Sequence, residues 1–193
     1  MESLESYNLI KNQAQSVINN RHLYVANIVK ELFNPQQHKN LCEIGAGKFE
    51  LATLLAQAYE NIDAYEVYPD HSIQGKISNL KIYGGFTSYT NVSKYHLLIS
   101  VCPYYYCYDE FSDIDTEEVT KNLVMNIIDS SIDKDINSFI VLSNTNSSTD
   151  VMKEIKIKNK YNQIAQDNID LYFERNGRLN TSNNKVLIYR HKI

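Results

Sequence analysis

Apolar residues recur along this chain at two periods, and the two alternate. From residue 48 to 59 the positions Leu51, Leu54, Leu55 and Ala58 follow the i, i+3, i+4, i+7 spacing of one buried helical face. Short runs of strand character flank it at 41–44 and 62–67. Residues 80–83 alternate and stop at Gly84-Gly85, whereas 95–101 and 139–142 are nearly continuous apolar runs, the mark of parallel strands covered on both faces. Between these lie a short helix after Pro69-Asp70-His71, reaching about Gly75, and a longer one capped by Asp115 with Glu118 three residues on. The longer helix carries Val119, Leu123 and Ile127 at steps of four and ends near Ser130; another helix begins at about Thr149. Residues 169–174 and 185–190 flank an Asn-rich connection containing Asn176-Gly177, which predicts an antiparallel hairpin. Ahead of the first strand, Tyr7, Ile10, Ala14, Val17 and Ile18 share one helical face, and Val25, Ile28, Val29 and Leu32 form a second stripe closed by Pro35. Strands alternating with helices predict an α/β fold around a mostly parallel sheet.

The first strand runs into Gly45-Ala46-Gly47, where two glycines let the backbone turn tightly and approach a ligand with no Cβ in the way. A phosphate-binding P-loop would need glycine at 42 and Ser or Thr at 49, but Cys42 and Phe49 stand there. A dinucleotide-binding turn would need a third glycine at 50, the place of Glu50. That weakens the NAD reading and leaves it open. Glu43 decides the direction: a carboxylate beside the turn repels a pyrophosphate and suits an ammonium or a sulfonium. S-adenosylmethionine carries both.

The run Glu43-Ile44-Gly45-Ala46-Gly47 resembles the first motif of the class I S-adenosylmethionine-dependent methyltransferases. The resemblance implies a Rossmann-like fold: a seven-stranded, mostly parallel sheet with helices on both faces and a C-terminal antiparallel hairpin, preceded by N-terminal helices. It also implies S-adenosyl-L-methionine as cofactor. Glu66, 21 residues past Gly45, then holds the ribose hydroxyls, since a carboxylate accepts from two adjacent hydroxyls at once. Tyr68 is expected to pack on the adenine, with Phe86 and Thr87 beside the base; Gly84-Gly85 reads equally well as simple loop punctuation. In doubly wound sheets ligands lie outside the carboxyl ends of the strands where strand order reverses, here between the first and fourth. Residues 100–108 should border the reaction. Pro103-Tyr104 resembles the Pro-Tyr half of the Asp/Asn-Pro-Pro-Tyr/Phe motif of amino methyltransferases, but Val101 and Cys102 occupy its first two positions. The expected cofactor contacts are therefore Glu43, Gly45, Gly47, Glu66, Tyr68, Phe86 and Ser100. Pro103, Tyr104 and Tyr105 are expected at the acceptor, and Ser100, Tyr104 and His71 as base or orienting group. Tyr7 and His22 belong to helices that cover the cofactor in that family, or else are a core-edge aromatic and a surface residue.

Composition narrows the setting. With 193 residues and 43% hydrophobic content the chain suits one globular unit, a helical extension over 1–38 and a catalytic domain over 39–193. A net charge of −4 with scattered cations offers no long-range attraction to nucleic acid, leaving only a local patch for such a partner. Lys153, Lys156 and Lys160 fall near one helical face, to meet phosphate or simply water. Cys42, Cys102 and Cys107 are odd in number and lack CxxC spacing, which suits reduced thiols in the cytoplasm. No run approaches the ~18 apolar residues of a membrane span. The acidic stretch over 109–118 is not an EF-hand, because the sixth position from Asp113 is Glu118 and not glycine, and no metal is expected. The reading is methyl transfer to an unidentified acceptor, with a small molecule or a planar nitrogen favoured. An NAD-dependent reductase and a non-catalytic methyltransferase-like scaffold or partner subunit are the alternatives.

Overall fold

The computed structural model describes residues 21–103, 115–175 and 178–191; the expectations placed on Tyr7, Tyr104, Tyr105 and the Asn176-Gly177 turn lie outside them. The sheet has seven strands: β1 (Asn40–Ile44), β2 (Asn61–Glu66), β3 (Leu80–Gly84), β4 (Leu97–Val101), β5 (Asn137–Leu142), β6 (Ala165–Arg175) and β7 (Arg178–Tyr189). Their order is β3-β2-β1-β4-β5-β7-β6. All neighbours are parallel except β7, which runs antiparallel to both β5 and β6. This is the mixed sheet with a terminal hairpin that the chain's patterning predicts. Strand order reverses between β1 and β4, and the register pairs Glu43 with Ala64 of β2 and with Ile99 of β4. The carboxyl ends Ile44, Glu66 and Val101 thus come out level, side by side.

Among the described residues four α-helices cover the sheet: α1 (Arg21–Leu32), α2 (Glu50–Leu55), α3 (Thr116–Lys134) and α4 (Asn146–Ile157). Period-2 alternation sends Leu97 and Ile99 to the face covered by α1 and α2, where Val25, Ile28, Leu51 and Leu55 are buried. Leu98 and Ile140 go to the other face and meet Ile127 and Ile128 of α3 and Val151 and Ile155 of α4. Each such side chain contributes about 1.5–3 kcal/mol of burial, so two continuous cores hold the carboxyl ends of the strands in place. Asp115 caps α3 by accepting from the backbone N–H groups of Glu117 and Glu118 at 3.0 and 3.1 Å. No helix among the described residues is long and apolar enough to cross a membrane.

The structure departs from the periodicity in three places. The helix expected over 48–59 is six residues long: it starts only after Phe49, left-handed at φ 61° with its ring buried, and beyond Leu55 it gives way to turns closed by the Gln57 and Ala58 N–H groups on the Leu54 and Leu55 carbonyls. Strands β6 and β7 extend well past the expected apolar segments, since backbone pairing continues through the Asn-rich stretch whatever its side chains. The short helix expected to reach about Gly75 is a single 3-10 turn, His71–Ile73. Asp63, 7% exposed, accepts from the Tyr95 hydroxyl at 2.7 Å and pairs with Lys94 at 2.5 Å. The Tyr95 and Tyr65 hydroxyls are 3.2 Å apart, and Tyr65 stacks on Tyr83 with ring centroids 5.0 Å apart. Asp63→Ala is expected to lower stability by about 1–3 kcal/mol in chemical denaturation, because it strands a buried phenol without its acceptor. Asp63→Asn, which keeps a carbonyl there, should cost less.

Candidate active site

The turn after β1 is built by backbone conformation. Gly45 and Gly47 lie at φ 72° and 55°, which L side chains rarely adopt, and the N–H groups of Gly45 and Ala46 donate to the Tyr65 carbonyl at 2.9 and 3.1 Å. Glu66 locks the second half of the turn. One of its carboxylate oxygens accepts from the Gly47 N–H at 2.7 Å, the other from the Val67 N–H at 2.9 Å. Across from the turn stands Pro103: a Cβ built at Gly45 would lie 3.4 Å from the proline Cβ, whereas one at Gly47 would meet nothing within 4 Å. Between β4 and Pro103, Cys102 is forced to φ 50°, with its N–H donating to the Val141 carbonyl at 2.7 Å. A left-handed residue before proline is strained by about 1–3 kcal/mol. That strain sits at the lip of the site.

Two cavities open here and meet at Gly45, Glu66, Val67 and Leu123. One, of about 260 Å³, is walled mainly by apolar and aromatic groups: Ile44, Tyr65, Val67, Phe86 and the α3 face carrying Val119 and Leu123. Phe86 meets Tyr65 edge-on with centroids 5.6 Å apart, so the Asp63–Tyr95–Tyr65 chain fixes this wall. Asn122 and Asn126 of α3 also line it. The Asn122 amide donates to Glu118, and that of Asn126 has no hydrogen-bond partner among the described residues. The other cavity, of about 430 Å³, is charged and lies over the glycine turn, between Arg21, His22, Lys48 and Glu50 on one side and Val101, Cys102 and Pro103 on the other. His22 Nδ1 is 2.7 Å from Glu50, while burial and neighbouring Arg21 hold its pKa below the usual imidazole value.

Glu43 lines the charged cavity and is 4% exposed. Its carboxyl accepts the Ala52 N–H, yet Oε2 has no hydrogen-bond partner. Burial pushes its pKa up to about 8, against the Ala52 hydrogen bond, with the Glu66 carboxylate adding to the rise. A buried carboxyl oxygen left without a partner beside a cavity asks for a donor, and a cationic one would favour its ionised form. The two spaces together suit a ligand with a flat apolar head, a diol over Glu66 and a charged tail that brings a cation to Glu43 and a carboxylate to Arg21 or Lys48.

Of the residues singled out from sequence, the structure gathers Glu43, Gly45, Gly47, Glu66, Phe86 and Pro103 at this site. It does not bring Ser100 there: that side chain is fully buried, lines neither cavity, and its hydroxyl donates to the Ile44 carbonyl at 2.8 Å. Tyr68 is 53% exposed and lines neither cavity; Val67 has the place expected of it. His71 is exposed in a short 3-10 turn, His71–Ile73, capped by Asp70, and lines neither cavity. His22 does belong to the rim. Arg21, Asn122 and Asn126 escape sequence reasoning because each sits on the polar side of a helix whose apolar stripe was the visible signal.

No family model matches the chain, and no curated protein matches it in sequence. Solved structures do match in fold. The N-terminal domain of human METTL16 in complex with SAH superposes with a TM-score of 0.56 at 15% identity, covering 89% of this chain and 70% of that one. The methyltransferase domain of bacterial CtHen1-C gives 0.56 at 9% identity over 90% and 100% of the two chains. Precorrin-6y C5,15-methyltransferase from Geobacter metallireducens gives 0.51 at 11% identity over 78% of each. At these identities the likeness is one of fold: the chain has the Rossmann-like architecture of class I methyltransferases, as the resemblance of its Glu43–Gly47 motif implies.

Proposed function

We propose that the protein is an S-adenosylmethionine-dependent methyltransferase whose cofactor spans the two joined cavities. The observation that carries this reading is Glu43, which lines the charged cavity above a glycine turn while its Oε2 is buried and unpartnered. In this reading Glu43 takes the cofactor's ammonium, Arg21 or Lys48 its carboxylate, and Glu66 its ribose hydroxyls. Tyr65, Val67 and Phe86 enclose the base, and the half-buried Asn126 offers the base edge both a donor and an acceptor. The presence of SAH in the METTL16 domain complex supports a cofactor of this kind. Glu50, standing where a dinucleotide-binding turn has its third glycine, speaks against a pyrophosphate at the same turn, and so against NAD.

The cofactor, when bound, supplies an electrophilic methyl on a sulfonium. The chain's own task is alignment. Pro103 packs toward Gly45 and stiffens the lip at the end of β4, where an acceptor approaches from the side of Val101 and Cys102. Holding a nucleophile near attack distance removes on the order of 7–11 kcal/mol of barrier. A neutral nitrogen on a planar ring needs no strong base beyond that. This agrees with a described lip that presents Val101, Cys102 and Pro103, and we assign Ser100 a structural role at the strand end.

Calorimetric titration with S-adenosylmethionine and S-adenosylhomocysteine tests the proposal, with NAD as the control. Micromolar binding of the first two is expected. Glu66→Ala should weaken it by about 100-fold, the scale of losing hydrogen bonds to a charged acceptor. Glu66→Gln, which retains one acceptor for the Gly47 N–H, should fall between. Absence of binding by the folded wild-type protein would remove the enzyme reading and favour a scaffold role.

A further inference from the structure

The lysines expected on one face of the helix after β5 do not stay together. Lys160 turns back to α3, 2.8 Å from Asp129 and 3.1 Å from Asp133. Lys153 and Lys156 instead line a groove of about 350 Å³ between α4 and the hairpin, and Lys185 of β7 lines it from the opposite wall. Lys185 sits opposite Leu142 in the β5–β7 register, so the groove opens at the carboxyl end of β5. The adjacent strand, β4, ends at Val101, which lines the charged cavity. Groove and cavity therefore both lie at the carboxyl edge of the sheet, at the ends of neighbouring strands.

The lining of the groove is one-signed. Beside the three lysines it contains Ser148, Thr149 and Asn183, and no carboxylate. Lys153 shares its charge with Asp150 at 2.8 Å in an exposed pair, worth little in water. Lys156 and Lys185 form no ion pair among the described residues. The helix terminus is not the attraction, because α4 is already capped: the Ser147 N–H donates to Glu117 at 2.8 Å and the Ser148 N–H to Thr145 at 3.3 Å. What remains is a row of exposed ammonium groups; the Thr149 hydroxyl and the Asn183 amide beside them already donate to the Thr145 carbonyl and to Asp170. A small phosphorylated metabolite is usually held by buried donors in an enclosed pocket. Exposed lysines on long stems act as mobile point charges and suit a ligand that presents several phosphates in succession along an open track.

We propose that this groove carries the phosphate backbone of a nucleic-acid strand and so places one of its bases at the neighbouring methyl-transfer site. The second half of that statement rests on the methyltransferase reading; the first does not. The net charge of −4 confines the attraction to the patch and makes it short-ranged and sensitive to salt.

The test is fluorescence anisotropy of labelled single-stranded RNA and DNA with the full chain, between about 50 and 200 mM salt. It compares wild type, K153A/K156A/K185A and the charge-preserving K153R/K156R/K185R. Wild type should bind, and the alanine variant should bind at least about 10-fold more weakly at the lower salt. Its slope of log K against log salt should be shallower by about 2, the share of three phosphate contacts on a single strand. The arginine variant should bind like wild type. In the same samples S-adenosylhomocysteine binding should be equal in wild type and the alanine variant, which shows the fold intact. The proposal is overturned by no oligonucleotide binding in wild type, or by an alanine variant with unchanged affinity and slope. It is also overturned if inorganic pyrophosphate binds in a lysine-dependent way while neither oligonucleotide does. Lysine-dependent oligonucleotide binding without any S-adenosylhomocysteine binding would uphold the groove and remove the methyl-transfer reading.

Discussion

Raising the pH from about 5.5 to 8.5 is expected to lower the melting temperature of the wild-type protein, and Glu43→Gln to flatten most of that loss. The folded chain holds the Glu43 proton up to about pH 8, against an ordinary value of 4.5. Between those values the folded state binds more protons than the unfolded one, so stability falls as pH rises. The contribution is full below about 4.5 and gone above about 8, at roughly 1.4 kcal/mol per pH unit for one proton, on the order of 5 kcal/mol in all. His22 and His38, both held below their usual pKa mainly by burial, act in the opposite sense near pH 6. Comparison with Glu43→Gln, not the wild-type curve alone, therefore isolates the carboxyl. An ammonium brought to Oε2 reverses the preference and favours the carboxylate. Cofactor binding at pH 7 should then release up to about one proton, seen as a dependence of the calorimetric enthalpy on buffer ionisation enthalpy. That proton should be missing in Glu43→Gln, whose affinity should also fall.

Glu43 was legible in the sequence as an acidic neighbour of the glycine turn; its protonation state was not. The difference marks where pattern reading stops. The fold could be read because Gly45-Ala46-Gly47 sits between a strand and a helical stripe, and because 95–101 and 139–142 have no polar face to leave in water. Ser100 was misjudged for a related reason. Placing it at the carboxyl end of a strand was correct, but alternation turns Val101 to the cavity and Ser100 to the Ile44 carbonyl. The start of α2 depended on the backbone of Phe49, a bulky residue at positive φ that no propensity favours. Arg21 and Asn126 come from elements far apart in sequence, and only the packing of α1 and α3 on opposite faces of the sheet brings both to Glu66 and the turn. The lysine groove shows the same limit: spacing grouped Lys160 with Lys153 and Lys156, whereas Asp129 and Asp133 on another helix remove it and β7 supplies Lys185.

Gly45→Val is expected to abolish cofactor binding and to cost about 2–4 kcal/mol of stability, and the two losses have separate causes. The φ of 72° is unfavourable for any L side chain and worst for a β-branched one. The new Cβ lies at 3.4 Å from the Pro103 Cβ, and the valine methyls extend beyond it into the packed lip or into the junction where the two cavities meet. Gly47→Ala separates strain from obstruction. Its φ of 55° carries a strain of about 1 kcal/mol, but its Cβ meets no protein atom within 4 Å. It points into space that the proposed cofactor uses. The folded Gly47→Ala protein should therefore melt only slightly below wild type yet bind S-adenosylhomocysteine at least about 10-fold more weakly, a penalty of roughly 1.4 kcal/mol or more. Gly45→Val should show both defects at full size. Near-normal binding by Gly47→Ala would mean that the ligand does not lie over the turn, and would move the site away from Glu43 and Glu66.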